Sequence, residues 1–377
     1  MTIYQHVFNV LCSRHLVLLL FCAQPFQLSS AQETLTPNNS QQSSAKQTAK
    51  PMKKPVAIFY SPQFLLHETG ANHPERPERL HAVVAQLKQQ KKLIWPAFEP
   101  ASQADLALVH TPAYLALVDA ETKALASRKG DGQAALANLS TGDTVMSPTT
   151  QAVAKLAVGA GIAASDAVMA GRASSAFALV RPPGHHATQS RGMGFCVYNN
   201  IAIAARHLQK QHGIKRILIV DFDVHHGNGT QAIFEADPSV FYFSIHQHPL
   251  YPGTGLSSET GVGKGKGYTL NVALPAGAGD DELLNAVRQQ LIPAMEAFKP
   301  EFILVSAGFD SHSNDPLGRL EYSDQGYAQV AKELATMANR YAAGRMVYML
   351  EGGYNPNNIA NAVNQIVDVL NYNAIIQ

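Results

Sequence analysis

Residues 217–230 read Ile-Leu-Ile-Val-Asp-Phe-Asp-Val-His-His-Gly-Asn-Gly-Thr, an apolar run that delivers two carboxylates and two imidazoles at its end. In an extended segment Asp223 and His225, two positions apart, leave the same face and could hold one cation. Carboxylate with imidazole suits zinc or another borderline transition metal. Taken alone, the stretch also reads as a loop of polar turn residues. Three further groups carry similar potential: Arg181-Pro-Pro-Gly-His185-His186, Gly308-Phe309-Asp310 and Glu351-Gly-Gly-Tyr354. Each has a plainer reading: a solvated histidine pair, a helix cap or turn aspartate, a packed aromatic.

These groups need elements to position them. Short β-rich runs at 56–60, 176–180, 216–223, 240–246, 268–274, 302–307 and 346–350 alternate with helical patterns, among them 152–169, 200–211, 282–298 and 324–343. Strands alternating with helices predict an α/β fold with a mostly parallel central sheet covered on both faces. With no repeat and no Pro- or Gly-rich linker after residue 55, a single domain is expected over 55–377. Ligands in such folds bind beyond the carboxyl ends of the strands. All four chemical groups follow a predicted strand.

Twenty-nine basic and 28 acidic residues nearly cancel, so no strong field marks a nucleic-acid binder. Residues 1–31 contain no acid, carry Arg14, run through an apolar stretch and end in Ser29-Ser30-Ala31, the pattern of a secretory signal peptide. The expectation is a secreted or periplasmic protein, with no stable membrane insertion unless that segment stays uncleaved. Residues 32–54, rich in Gln, Ser, Thr, Asn and Lys, read as a disordered tether. Cys12 and Cys22 lie in the leader, leaving Cys196 alone, so no intramolecular disulfide is expected. No pattern specifies an oligomeric state.

Six blocks in order, HPERPERL at 73–80, RPPGHHA at 181–187, MGFCVYNN at 193–200, DFDVHHGNGTQ at 221–231, SAGFDSHSNDPLG at 306–318 and LEGGYN at 350–355, resemble the histone deacetylase and acetylpolyamine amidohydrolase family. HHGNG and GFDSHSNDPLG look like its class II branch. The resemblance spans roughly residues 56–370 and implies an arginase/deacetylase-like fold. It implies one Zn2+ held by Asp223, His225 and Asp310, with a position left open as hydrolytic zinc sites require. It makes His186 the general base and later acid, His185 its electrostatic partner and Tyr354 the oxyanion donor. Asp221 would stand behind His185 and Asn228 behind His186, while Gly194, Phe195 and Leu317 would wall a substrate tunnel. A structural K+ is implied at Asp221, Asp223, His225, Ser244 and Ile245, largely through backbone carbonyls.

The expected activity is deacetylation of an acetylated lysine peptide or protein, or of a small acetylated amine. Relatives specialised for acetylpolyamines place an acid in the segment matching Asp315-Pro-Leu317-Gly; the apolar Leu317 tilts the expectation towards acetyl-lysine, although another loop could supply the acid. An arginase-like ureohydrolase with two manganese ions is a second reading, countered by His312 where a bridging aspartate belongs. A binder that has lost catalysis is a third, countered by a competent residue at every matched position.

Overall fold

The computed structural model describes residues 54–128 and 135–373. The expected leader, and the expected tether except Lys54, lie outside the described residues. Among the described residues there are ten strands: β1 (Val56–Phe59), β2 (Leu93–Ile94), β3 (Ala137–Asn138), β4 (Val145–Met146), β5 (Ser175–Ala178), β6 (Ile217–Asp221), β7 (Val240–Gln247), β8 (Thr269–Leu274), β9 (Phe302–Ala307) and β10 (Met346–Leu350). Strands β3 and β4 form a small antiparallel pair, and the other eight form one sheet in the order β2-β1-β5-β10-β9-β6-β7-β8. Every pairing in the large sheet is parallel. The fold is therefore a single α/β domain, as the alternation of patterns predicts.

Strands β5, β6, β9 and β10 are buried at every position. Their sequences are near-continuous apolar runs because a sheet covered on both faces leaves no polar side. Thr150–Met169 packs on β1, β5 and β10 and against Asn200–His212, whereas Arg79–Leu87, Asp324–Tyr341 and Pro356–Asn373 pack together. Helix 150–169 is long and apolar enough to cross a membrane, but two thirds of its apolar window is buried inside the protein. Asn199 accepts from the Ala202 N–H at 3.0 Å and starts the following helix, which ends at Gly213 with φ 67°.

Two local expectations are corrected. Strand β6 stops at Asp221, so Asp223 and His225 do not share an extended segment; they sit in a bend in which Asp223 Oδ1 accepts the His225 N–H at 2.9 Å. The helix expected over 282–298 is interrupted by a π turn, Val287–Leu291, between Asp280–Ala286 and Ile292–Phe298. Pro293 contributes no N–H to an α ladder, and the wider turn accommodates it.

Candidate active site

Strands β5, β10, β9 and β6 are consecutive neighbours in the sheet, so the segments leaving their carboxyl ends meet. These segments bring His185 and His186, Tyr354, Asp310, and Asp223 with His225 to one place. Ligand atoms of Asp223, His225 and Asp310 lie within 4.8 Å of one another. His225 Nδ1 is 3.1 Å from Asp223 Oδ1 and 3.3 Å from Asp310 Oδ2. A tetrahedral centre with bonds of about 2.0–2.1 Å separates its ligands by about 3.3 Å, so the spacing fits a zinc-sized cation. Asp310 Oδ2 is buried and accepts no well-oriented hydrogen bond from the described residues. Burial, then the nearby Asp223 carboxylate, pushes the Asp310 carboxyl up, and a shared cation relieves both effects. An oxygen–nitrogen–oxygen set with one unsatisfied oxygen fits zinc.

Glycine shapes this centre by close approach. A Cβ on Gly352 would strike Asp310 Oδ2 and crowd Asp223 Oδ2, and one on Gly308 would strike Asp223 Oδ2. The Gly352 N–H instead donates to Asp223 Oδ2 at 2.8 Å, orienting that carboxylate.

The two histidines lie side by side with ring centroids 4.1 Å apart, yet their surroundings differ. His185 Nδ1 is 3.0 Å from Asp221 Oδ2 and its Nε2 3.9 Å from Asp223 Oδ1. Burial opposes charge there, but the Asp221 and Asp223 carboxylates prevail and push His185 up to about 10. His186 donates from Nδ1 to Asn228 Oδ1 at 2.8 Å, which leaves Nε2 as the free acceptor. Burial first, then His185 and His225, hold His186 well below the usual imidazole range. The surroundings thus push the two rings in opposite directions, His185 towards charge and His186 away from it.

Glu351 is fully buried and accepts from the Gly184 N–H at 2.6 Å, the His185 N–H at 3.2 Å and Ser306 Oγ at 2.9 Å. It locks the Pro-Pro-Gly turn that presents both rings. Tyr354 is placed by Asp315, whose Oδ2 accepts the Tyr354 N–H at 2.7 Å, and by the Arg79 guanidinium 5.0 Å from the ring centroid. Burial, then Asp310, pushes the phenol well above its ordinary value, so it stays a proton donor. Arg79 also donates to the Glu351 and Gly353 carbonyls, which gives the 73–80 block a role in holding the Tyr354 turn.

A pocket of about 260 Å³ opens on this group, lined by Asp143, His186, Gly194, Phe195, His225, Leu250, Tyr251, Leu317 and Tyr354. Phe195 meets Tyr354 edge-on with centroids 6.0 Å apart, and Tyr251 meets His186 edge-on at 5.2 Å. The volume falls below the usual 300–1,000 Å³ of ligand pockets and suits a slender chain. Gly194, Phe195 and Leu317 all lie on its wall. Tyr251, Leu250 and Asp143 escaped sequence reasoning: Asp143 sits in a polar turn with no distinguishing pattern, and Tyr251 between two prolines reads as loop punctuation. Glu351 could have been found as an acid closing an apolar strand.

His312 turns away from the centre: its Nε2 is 3.2 Å from Asp324 Oδ1 and its Nδ1 2.7 Å from the Ser313 carbonyl. It therefore adds no ligand for a second ion. Ser244 is the register partner of Asp221 on β7, with Ser244 Oγ 2.9 Å from His246 Nδ1, and Ile245 follows it in the core. Cys196 is buried beside Gly194, and burial pushes its thiol well above the ordinary range, the opposite of a nucleophilic cysteine.

Residues 73–370 match the histone deacetylase domain family. The chain belongs to the histone deacetylase family. It is 40% identical over 325 residues to Histone deacetylase 14, chloroplastic, of Arabidopsis thaliana, covering 81% of this chain and 74% of that one. It is 37% identical over 326 residues to the Histone deacetylase-like amidohydrolase of Pseudomonas aeruginosa, covering 80% and 82%. It is 40% identical over 306 residues to Polyamine deacetylase HDAC10 of Homo sapiens, covering 78% of this chain but 44% of that longer protein. Among solved structures, the HDA15 HD domain matches with a TM-score of 0.78 at 36% identity, covering 85% of this chain and 89% of the other. Membership makes this histone deacetylase-family protein a hydrolase of amide bonds.

Proposed function

We propose that the protein is a zinc-dependent deacetylase acting on acetyl-lysine-type amides. The reading rests on one observation: ligand atoms of Asp223, His225 and Asp310 converge within 4.8 Å of one another, and His225 lines one pocket together with His186 and Tyr354. Bound zinc supplies Lewis acidity and lowers the pKa of water to about 7. His186 Nε2, its tautomer set by Asn228, takes the proton of the attacking water and returns it to the leaving amine. His185, held by Asp221, orients that water. The Tyr354 phenol donates to the oxygen of the carbonyl under attack. Phe195, Tyr251 and Leu317 clasp the alkyl stem and exclude bulk water.

A second substrate reading, an acetylated polyamine, has its own support. Leu317 supplies no acid, but Asp143 does, from the β3–β4 turn; its Oδ1 accepts the Gly194 N–H at 2.7 Å and its carboxylate lies on the pocket wall. Protein starting at Gln32 should be assayed on acetyl-lysine peptides, acetylpolyamines and longer acyl-lysines, with chelation and zinc return. Hydrolysis that chelation abolishes and zinc restores is expected; turnover indifferent to chelation overturns the zinc reading. Preference for the acetylpolyamine, lost in Asp143→Asn, would select the second substrate class.

We also propose export, on the strength of the acid-free apolar leader ending at Ala31. Mass analysis of protein from its native host should show a chain beginning near Gln32; an intact amino terminus in the cell interior would reverse this. Exported protein would meet neither histones nor cytosolic acetyl-lysine. A structural K+ at Asp221, Asp223, His225, Ser244 and Ile245 belongs to the same proposal and is read by potassium-dependent thermal stability.

A further inference from the structure

Away from the pocket, the helices Thr150–Met169 and Asn200–His212 pack against each other. Asp166, near the end of the first, meets His207 and His212 near the end of the second. Both histidines approach the same carboxylate oxygen: His207 Nε2 stands 2.8 Å and His212 Nε2 2.6 Å from Asp166 Oδ1. The two ring centroids are 5.7 Å apart, and the three ligand atoms lie within 4.8 Å of one another. The His207 side chain is 10% exposed and fixed by the core, whereas His212 and Asp166 are 26% and 37% exposed and face solvent.

An ordinary surface ion pair brings two groups together along one line. Here two imidazole nitrogens from one helix converge on one carboxylate oxygen of the helix packed against it, with one of the two rings buried. That donor set suits zinc, nickel or copper(II), and the solvent-facing side leaves coordination positions for water. A tetrahedral centre needs about 3.3 Å between ligands, so the 2.6 and 2.8 Å separations must open by about 0.5–0.7 Å. Both groups that would move are partly exposed. Coordination through Nε2 leaves the ring proton on Nδ1, and His207 Nδ1 is buried without a hydrogen-bond partner among the described residues. A metal-bound histidine lacking such a partner commonly loses about 10- to 100-fold in affinity, so this site should bind more weakly than the Asp223, His225 and Asp310 centre.

We propose that Asp166, His207 and His212 form a second divalent-metal site, suited to zinc, nickel or copper(II), that clamps these two helices together. The full chain, stripped by chelator and dialysed, should be titrated with zinc by calorimetry and metal analysis. Wild type should take two equivalents, one bound more weakly than the other by about 10- to 100-fold. Asp166→Asn and His212→Gln should each lose only the weaker equivalent while far-UV circular dichroism and amide hydrolysis stay unchanged. Asp310→Asn should keep the weaker equivalent. Independently of any variant, the wild-type thermal midpoint should rise again as zinc passes one equivalent. A single equivalent in wild type, or a weak equivalent that survives both Asp166→Asn and His212→Gln, overturns the proposal.

Discussion

His185 and His186 are chain neighbours, yet a carboxylate stands behind one and an amide behind the other. Asp221 with Asp223 favours charge on His185, whereas burial and the neighbouring His185 and His225 oppose it on His186. Replacing Asn228 by Asp should charge His186 and lower turnover; a pH–rate profile whose lower limb does not move in N228D would count against a base assignment. Tyr354→Phe removes one donor to the oxyanion, which typically costs about 2.7–4 kcal/mol, a factor of about 10²–10³ in kcat. Zinc content should be unchanged, so full turnover, or loss of metal, in Y354F would contradict the assigned role. Both residues were legible in the sequence because the blocks carrying them are long. Asp143 and Tyr251 were not, because only the folded chain brings their loops to the pocket.

At the scale of elements, the apolar runs of β5, β6, β9 and β10 were readable because both faces of the sheet are covered. The bend after Asp221 was not readable: a turn set by side-chain-to-backbone bonds such as Asp223 with the His225 N–H leaves no periodicity. The π turn at 287–291 was equally silent, since its residues continue a helical pattern. Turn geometry also yields a test at the end of β10. Gly352→Ala would push a methyl group into Asp310 and Asp223, so zinc affinity should fall by at least tenfold while circular dichroism remains that of wild type. Unaltered zinc stoichiometry and affinity in G352A would refute the packing argument.

The whole molecule is tied together at Glu75. This fully buried carboxylate accepts from Arg79 at 2.9 Å and from Arg181 at 2.5 and 2.7 Å, joining the 73–80 block to the ends of β5 and β10. Burial raises its pKa, but Arg181 and then its other cationic neighbours prevail and hold it far below the ordinary 4.5. A depressed folded-state pKa means stability that is present above the unfolded value and lost as pH falls through the folded one. Glu75→Gln leaves two buried guanidinium groups short of a counter-charge, a loss of about 3–5 kcal/mol. Urea unfolding should show that deficit from neutrality down to pH 4.5, with the two proteins converging only in stronger acid. Parallel curves at every pH would show that the carboxylate charge is not what matters.

Strand β10 follows the other nine described strands along the chain, yet it lies between β5 and β9, near the middle of the sheet. A chain still leaving the ribosome can possess both histidines and all three candidate metal ligands, but it lacks the wedge that closes the gap between the two halves. A polypeptide stopped before Met346 lacks both Tyr354 and the strand that joins β5 to β9, so truncation there should leave no amide hydrolysis.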